Sequence, residues 1–248
     1  MPVHYCGLAC DMDALMEIGK NQNIFIIEDA AHAFGSSYKG KNIGSFGDAT
    51  CFSFDPIKNL TCGEGGAVAL SDETIAEMIR TKRVLGIDKD TWHRYRNERA
   101  WFYEVTMQGY RYHMSNINAA IGLAQFKKVD SFILKKKEII QKYNDAFMGM
   151  DGLQILNWNL EETAPFAYIV RILDGAREGL IEFLKGRGVG TGIHYIPNHL
   201  QPFFKSYTTS LPVTEQIYKE ILTLPLYYDM TDEQVFTVIQ AVSDFSLN

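Results

Sequence analysis

The sequence predicts an α/β protein, with a strand of the parallel-sheet type in its first half and a smaller α+β unit behind it. Three observations carry that prediction. Asn23-Ile-Phe-Ile-Ile-Glu-Asp29 is a continuous apolar run closed by two acids, the pattern of a strand buried on both faces. Two more short apolar runs, at 49–54 and 66–70, are followed by segments of helical period. The last hundred residues then change character, mixing isolated strand-like runs with short helices.

Composition supports a folded chain. Among 248 residues 46% are hydrophobic and 22% charged, far from the polar, highly charged composition of disordered chains. The 24 basic and 30 acidic residues leave a net charge of −6. With no basic stripe to neutralise phosphates, nucleic acid is not an expected partner. The start, Met-Pro-Val-His-Tyr-Cys-Gly, has no basic and apolar leader pattern, and no apolar run is long enough to cross a membrane. Cys6, Cys10, Cys51 and Cys62 show no Cys-x-x-Cys spacing. In a chain of this size they read as reduced thiols, which points to the cytoplasm.

Taken in order, residues 11–20 carry an apolar stripe behind a capping Asp11 and read as a helix. The strand at 23–29 places Asp29 at its carboxyl end, where ligands collect in open α/β sheets. Glycines at 35, 40, 44 and 47 mark a loop or small hairpin. Strands at 49–54 and 66–70 follow, with Asp55-Pro-Ile-Lys58 in the turn between them. Ser71 opens a helix through Arg83, and Ser115 opens another through Phe126 with Ile117, Ala120, Ile121 and Ala124 on one face. A long helix is expected over 131–148, a strand over 167–173, a helix over 178–185 and a strand over 190–196. Two closing helices end the chain, the last capped by Thr231-Asp-Glu-Gln234.

Three features concentrate chemistry: Asp29 with His32 three residues on, Ser53 and Lys58 around one strand-to-turn junction, and the loop Gly63-Glu-Gly-Gly66. Neither a Walker A motif nor a Gly-x-Gly-x-x-Gly fingerprint is present, so nucleotide-loop readings fail. His194 and His199 lie five apart with a proline between them, which suits no metal-binding helix face, and no metal site is expected. Trp92, Tyr95, Trp101, Phe102 and Tyr103 could stack on bases, but the scarcity of basic residues favours an interface or lid.

Ile27-Glu-Asp-Ala-Ala-His-Ala33, Gly44-Ser-Phe-Gly-Asp48, Phe52-Ser-Phe54, Lys58-Asn-Leu-Thr-Cys-Gly-Glu-Gly-Gly66 and Gly109-Tyr-Arg-Tyr112 occur in one order and spacing. Together they resemble the pyridoxal-phosphate sugar aminotransferases of the DegT/DnrJ/EryC1/StrS family. The resemblance runs to the C-terminus through Gly190-Thr-Gly-Ile-His-Tyr195 and Leu224-Pro-Leu226. It implies an aspartate-aminotransferase-like fold of type I, with residues 1–130 as the remaining part of the cofactor-binding large domain and 131–248 as a linking helix and small α+β domain. It also implies roles: Lys58 as the Schiff-base lysine and proton shuttle, Asp29 at the pyridine nitrogen, His32 at the cofactor ring and Ser53 on its phosphate. A pyridoxal enzyme needs an amine that can lose its proton to attack an aldehyde, and a carboxylate that keeps the pyridine protonated. Arg111 stands where the family has Asn in a motif that reaches the partner subunit's phosphate, with His113 at the family's Arg position. His194 and Tyr195 match a segment lining the sugar site.

The implied reaction moves an amino group from an amino acid, L-glutamate, to a keto group of a nucleotide-linked deoxysugar, in cell-surface polysaccharide or amino-sugar biosynthesis. A homodimer is implied, because the family's sites lie at the subunit boundary. The match begins where the family's second third begins. A truncated frame, a split gene with a separately encoded N-terminal piece, or an excised fragment is therefore expected. An inactive remnant or one subunit of a split enzyme is the alternative function.

Overall fold

A computed structural model describes residues 1–87, 103–207 and 209–245. The expected first helix is α1 (Met12–Gln22), where the Asp11 side chain accepts the Ala14 N–H at 3.2 Å, satisfying a donor that the helix cannot. Asn23 ends it in the left-handed region at φ 51°, and Ile24 N–H donates back to Gly19 O. Gly19 lets the chain pass closely here, since a Cβ on it would lie 2.9 Å from Ile26 Cγ1. This capping uses residues 23 and 24, so the strand predicted over 23–29 shortens to β1 (Ile27–Asp29).

β1 pairs in parallel with β4 (Ala49–Ser53), and β4 pairs antiparallel with β5 (Gly66–Ala69). The sheet is therefore mixed, with β1 in the parallel pairing expected of it. Between β1 and β4 lies the small hairpin of β2 (Ser37–Tyr38) and β3 (Lys41–Asn42). Burial on both faces does not hold either. The row Glu28–Thr50 is covered, but the alternate row leaves Ile27, Cys51 and Val68 exposed, and Phe25 is 73% exposed. Period-two alternation gives a sheet two distinct faces, and only one of them is packed here.

The covered face holds a buried polar knot. His4 Nε2 lies 2.8 Å from Glu28 Oε2, while Glu28 Oε1 accepts from Thr50 Oγ1 at 2.6 Å and Gly47 N–H at 2.8 Å. The Cys10 N–H donates to His4 Nδ1 at 3.1 Å, which leaves Nε2–H to face the carboxylate. His4 is tied to the sheet because Val3 bridges Asp29 in parallel register.

α2 (Glu73–Lys82) is capped by Asp72 rather than the expected Ser71, its carboxylate accepting Ile75 N–H at 2.9 Å. Ser115 caps α3 (Asn116–Phe126) as predicted. The apolar face expected to pack is open, with Ile117 75% exposed and Ile121 exposed too. α4 (Val129–Phe147) links to the second sheet, ordered β6 (Leu153–Ile155), β7 (Tyr168–Ile172), β8 (Ile221–Leu224) and antiparallel throughout. Its core forms against α4, α5 (Arg177–Gly186) and α7 (Asp232–Ser243), through residues such as Tyr143, Tyr168, Leu180, Leu222 and Val242. α6 (Pro212–Glu220) leads directly into β8. The strand predicted over 190–196 is absent; Gly192 makes one isolated bridge to Thr223 instead. The Thr231–Gln234 capping box is present in full. All four cysteines are free, and no helix among the described residues is long and apolar enough to cross a membrane. Trp92, Tyr95, Trp101 and Phe102 lie outside the described residues.

Candidate active site

The site is assembled from the ends of β1 and β4 and from the second sheet. Asp29 closes β1, half-buried, with Oδ1 accepting the Ala31 N–H at 3.0 Å. The chain then turns, with Ala33 N–H donating to Ala30 O at 2.9 Å, and the turn carries His32. Ser36 clamps it from behind, donating to Gly7 O at 2.7 Å and accepting Ala164 N–H at 2.9 Å. Ser53 closes β4, paired with Gly66, and its hydroxyl accepts the Asp55 N–H at 3.4 Å.

Lys58 ends a turn shaped by Asp55. Its carboxylate accepts Ile57 N–H and its carbonyl accepts Lys58 N–H, both at 3.0 Å. The next residue anchors that turn: Asn59 donates to Ala164 O at 3.1 Å and accepts from Lys136 Nζ of α4 at 2.9 Å. Lys58 is thus half-buried on a backbone fixed from both sides.

Its amine faces a ring, 4.5 Å from the centroid of Phe166. The same ring stacks on His32, with centroids 3.9 Å apart and 13° between planes. On the far side Tyr195 OH lies 3.2 Å from His32 Nε2. His194 is held by Thr223 Oγ1 at 2.8 Å from Nδ1, and its carbonyl accepts from Tyr5 OH. The Gly192 bridge to β8, with these hydrogen bonds from Thr223, Tyr5 and His32, places His194 and Tyr195.

These groups shape one another's titration. Burial lowers Lys58 from the usual lysine value, with Asp55 and Asp29 acting in the opposite sense. Burial, then the Lys58 charge, lowers His32 to about 4 against the pull of Asp29, so its imidazole is neutral near neutral pH. His194 is lowered by burial and by Lys58. Burial raises Tyr195, followed by Cys6, Asp29 and Asp55, which keeps its hydroxyl protonated. His32, Lys58, His194 and Tyr195 are perturbed together beside the Asp29 carboxylate, as groups at functional sites often are.

Arg111 does not join them within one chain. It is exposed and bridges Val84, while the neighbouring Tyr110 N–H and Tyr112 N–H pin this segment to Lys82 O and Arg83 O. Among the described residues no cluster of metal ligands is found. The donor set suits a pyridoxal group: an amine of lowered basicity, a carboxylate, and a neutral imidazole whose Nδ1 is buried without a hydrogen-bond partner.

Sequence reading missed Phe166, Tyr5, Thr223 and Lys136. An apolar residue before a strand reads as core, and nothing in the periodicity of α4 marks position 136. Lys136 is buried, and burial brings it down to about 8. A lysine lowered on folding opposes stability while charged, because the unfolded state binds its proton more tightly between that value and the ordinary one. Stability must then rise with pH in this window. Relative to Lys136→Met, the native protein should gain about 2 kcal/mol between about pH 7 and pH 10 in urea unfolding. A constant difference would show that Lys136 is not desolvated as placed.

A sequence model of the DegT/DnrJ/EryC1/StrS aminotransferase family matches residues 1–243. The spore coat polysaccharide biosynthesis protein SpsC of Bacillus subtilis is 38% identical, over 98% of this chain and 65% of its own. The chain thus spans slightly under two thirds of that relative. Helicobacter pylori PseC, an aminotransferase involved in the biosynthesis of pseudoaminic acid, superposes with a TM-score of 0.90 at 26% identity, covering 97% of this chain and 64% of PseC. Spr1654 of Streptococcus pneumoniae, solved in its PMP form, gives 0.88 at 28% identity, covering 96% and 67%. The type I, aspartate-aminotransferase-like α/β fold expected from the sequence is the fold of these neighbours.

Proposed function

The chain belongs to the DegT/DnrJ/EryC1/StrS aminotransferase family, and from that premise we propose that it takes part in pyridoxal-phosphate-dependent transfer of an amino group from L-glutamate to a keto group of a nucleotide-linked sugar. The observation that carries this reading is the convergence of Lys58, Asp29 and His32, with a lysine amine of lowered basicity beside a carboxylate and a neutral imidazole. The roles of SpsC and PseC, in spore coat polysaccharide and pseudoaminic acid biosynthesis, support a sugar acceptor and a place in cell-surface polysaccharide or amino-sugar synthesis. The PMP form of Spr1654 supports the cofactor.

When bound, pyridoxal phosphate supplies an aldehyde for covalent attachment and a ring that accepts electrons. Lys58 would hold the aldehyde and Asp29 the pyridine nitrogen, while Ser53 and a second subunit's copy of Arg111 would face the phosphate. His32 would orient the ring. Lys58 Nζ, unprotonated at lower pH than an ordinary lysine, can take a proton from the donor's α-carbon and return it as general acid. His194 and Tyr195, presented from the second sheet, would meet the sugar.

Exposed Ile117, Leu123 and Phe126 on α3 suit cover by a second copy, and we read the assembly as a cytoplasmic homodimer. The test is the donor half-reaction. Purified protein loaded with pyridoxal phosphate and given L-glutamate should release about one equivalent of 2-oxoglutarate per site. Failure to release keto acid from any amino acid, with cofactor bound, would refute the proposal.

A further inference from the structure

The amino-transfer reading leaves one side chain of the cluster without a role. Phe166 stands two residues before β7, its N–H donating to Cys6 O at 3.1 Å and its ring buried beside Cys6, Ile169 and Ile221. Two polar groups from different loops converge on that ring: the stacked imidazole of His32 and the amine of Lys58. We propose that Phe166 is a positioning residue for amino transfer, its electron-rich face holding the Lys58 amine and its plane fixing the His32 imidazole. The proposal rests on Lys58 and His32 acting on the cofactor as set out above.

The physical basis is a difference between ring and aliphatic neighbours. An aromatic face attracts a cation through its quadrupole, whereas an aliphatic side chain of similar volume excludes water without that attraction. The attraction acts on the ammonium form alone, so it counters the burial that lowers Lys58. Other groups facing Lys58 are Asp55 from its own turn, Asp29 from β1, and His32 and His194 from the neighbouring loops. His32 is faced by Lys58, Asp29, His194, Tyr195 and Tyr5. Stacking also restricts the imidazole to one plane, which Tyr195 alone, through one hydrogen bond, does not define.

The test uses cofactor-free protein. Competitive acetylation of Lys58 across pH, read by peptide mass, gives the titration midpoint of its amine. Phe166→Leu should lower that midpoint by about half to one pH unit, and Phe166→Tyr, which keeps the ring, should leave it in place. A second measurement needs no substitution at Phe166. The His32 ring protons, assigned by their loss in His32→Asn, should resonate upfield in the native protein because they lie over an aromatic ring. Unshifted resonances, or a midpoint unmoved in a folded Phe166→Leu protein, would overturn the proposal. Because neither readout involves pyridoxal phosphate, failure of the cofactor to attach would count against the functional reading and not against this one.

Discussion

Lys58→Ala should lower amino transfer by about 10²–10⁴-fold, the range expected when a positioned general acid–base is lost. Lys58 Nζ sits on a turn fixed by Asp55 and Asn59, faces the Phe166 ring, and is made less basic by burial. Among the described residues no other lysine joins this cluster, and Lys136 of α4 donates to Asn59 Oδ1. Alanine removes both the attachment point and the proton carrier, so kcat should fall. A small primary amine added to the assay should restore part of the rate, which mere misfolding would not allow. Native turnover in the variant would show that Lys58 is not the base.

Glu28→Ala should destabilise the fold by about 3–5 kcal/mol, the range for removing one member of a buried ion-pair network. Glu28 and His4 are both fully buried, and the carboxylate is the shared acceptor for His4, Thr50 and Gly47. Alanine leaves three donors inside the protein without a partner, and each loses its hydration with nothing in exchange. Because Glu28 precedes Asp29 on a three-residue strand, the damage should reach the site, and cofactor affinity should fall together with the urea midpoint. Glu28→Gln retains an acceptor for the Thr50 and Gly47 donors and should lose less. Equal stability in Glu28→Ala and the native protein would mean that this knot does not hold β1.

Much of the site was legible because its chemistry lies in short, ordered motifs. Asp29 at a strand end, His32 beyond it and Lys58 in a turn after β4 are weak signals singly, and it is their order in the motifs resembling the family that marks them. The positions that tie them together depend on distance in space. Phe166 meets His32 across many intervening residues, and no local period reports such a pairing. β8 was hidden for another reason. It starts at the residue after α6, with no turn signal between, and a four-residue segment such as Ile221-Leu-Thr-Leu224 cannot be told from a helix end by periodicity. β6 has only three residues, too few to show alternation. The strand predicted over 190–196 failed because its backbone pairs with β8 at Gly192 in one isolated bridge, yet His194 still reaches Thr223 through its side chain. The apolar run leading into β1 misled for a physical reason. A run such as Ile24-Phe-Ile-Ile27 states that burial would be favourable, and says nothing of which neighbour supplies it.

The central claim is that Lys58 carries the cofactor. Borohydride reduction of the protein mixed with pyridoxal phosphate, followed by peptide mass analysis, tests it most directly. A stable pyridoxyl group on the peptide containing Lys58, absent in Lys58→Ala, is the predicted result. Label spread over surface lysines, or lodged on Lys136 instead, would contradict it.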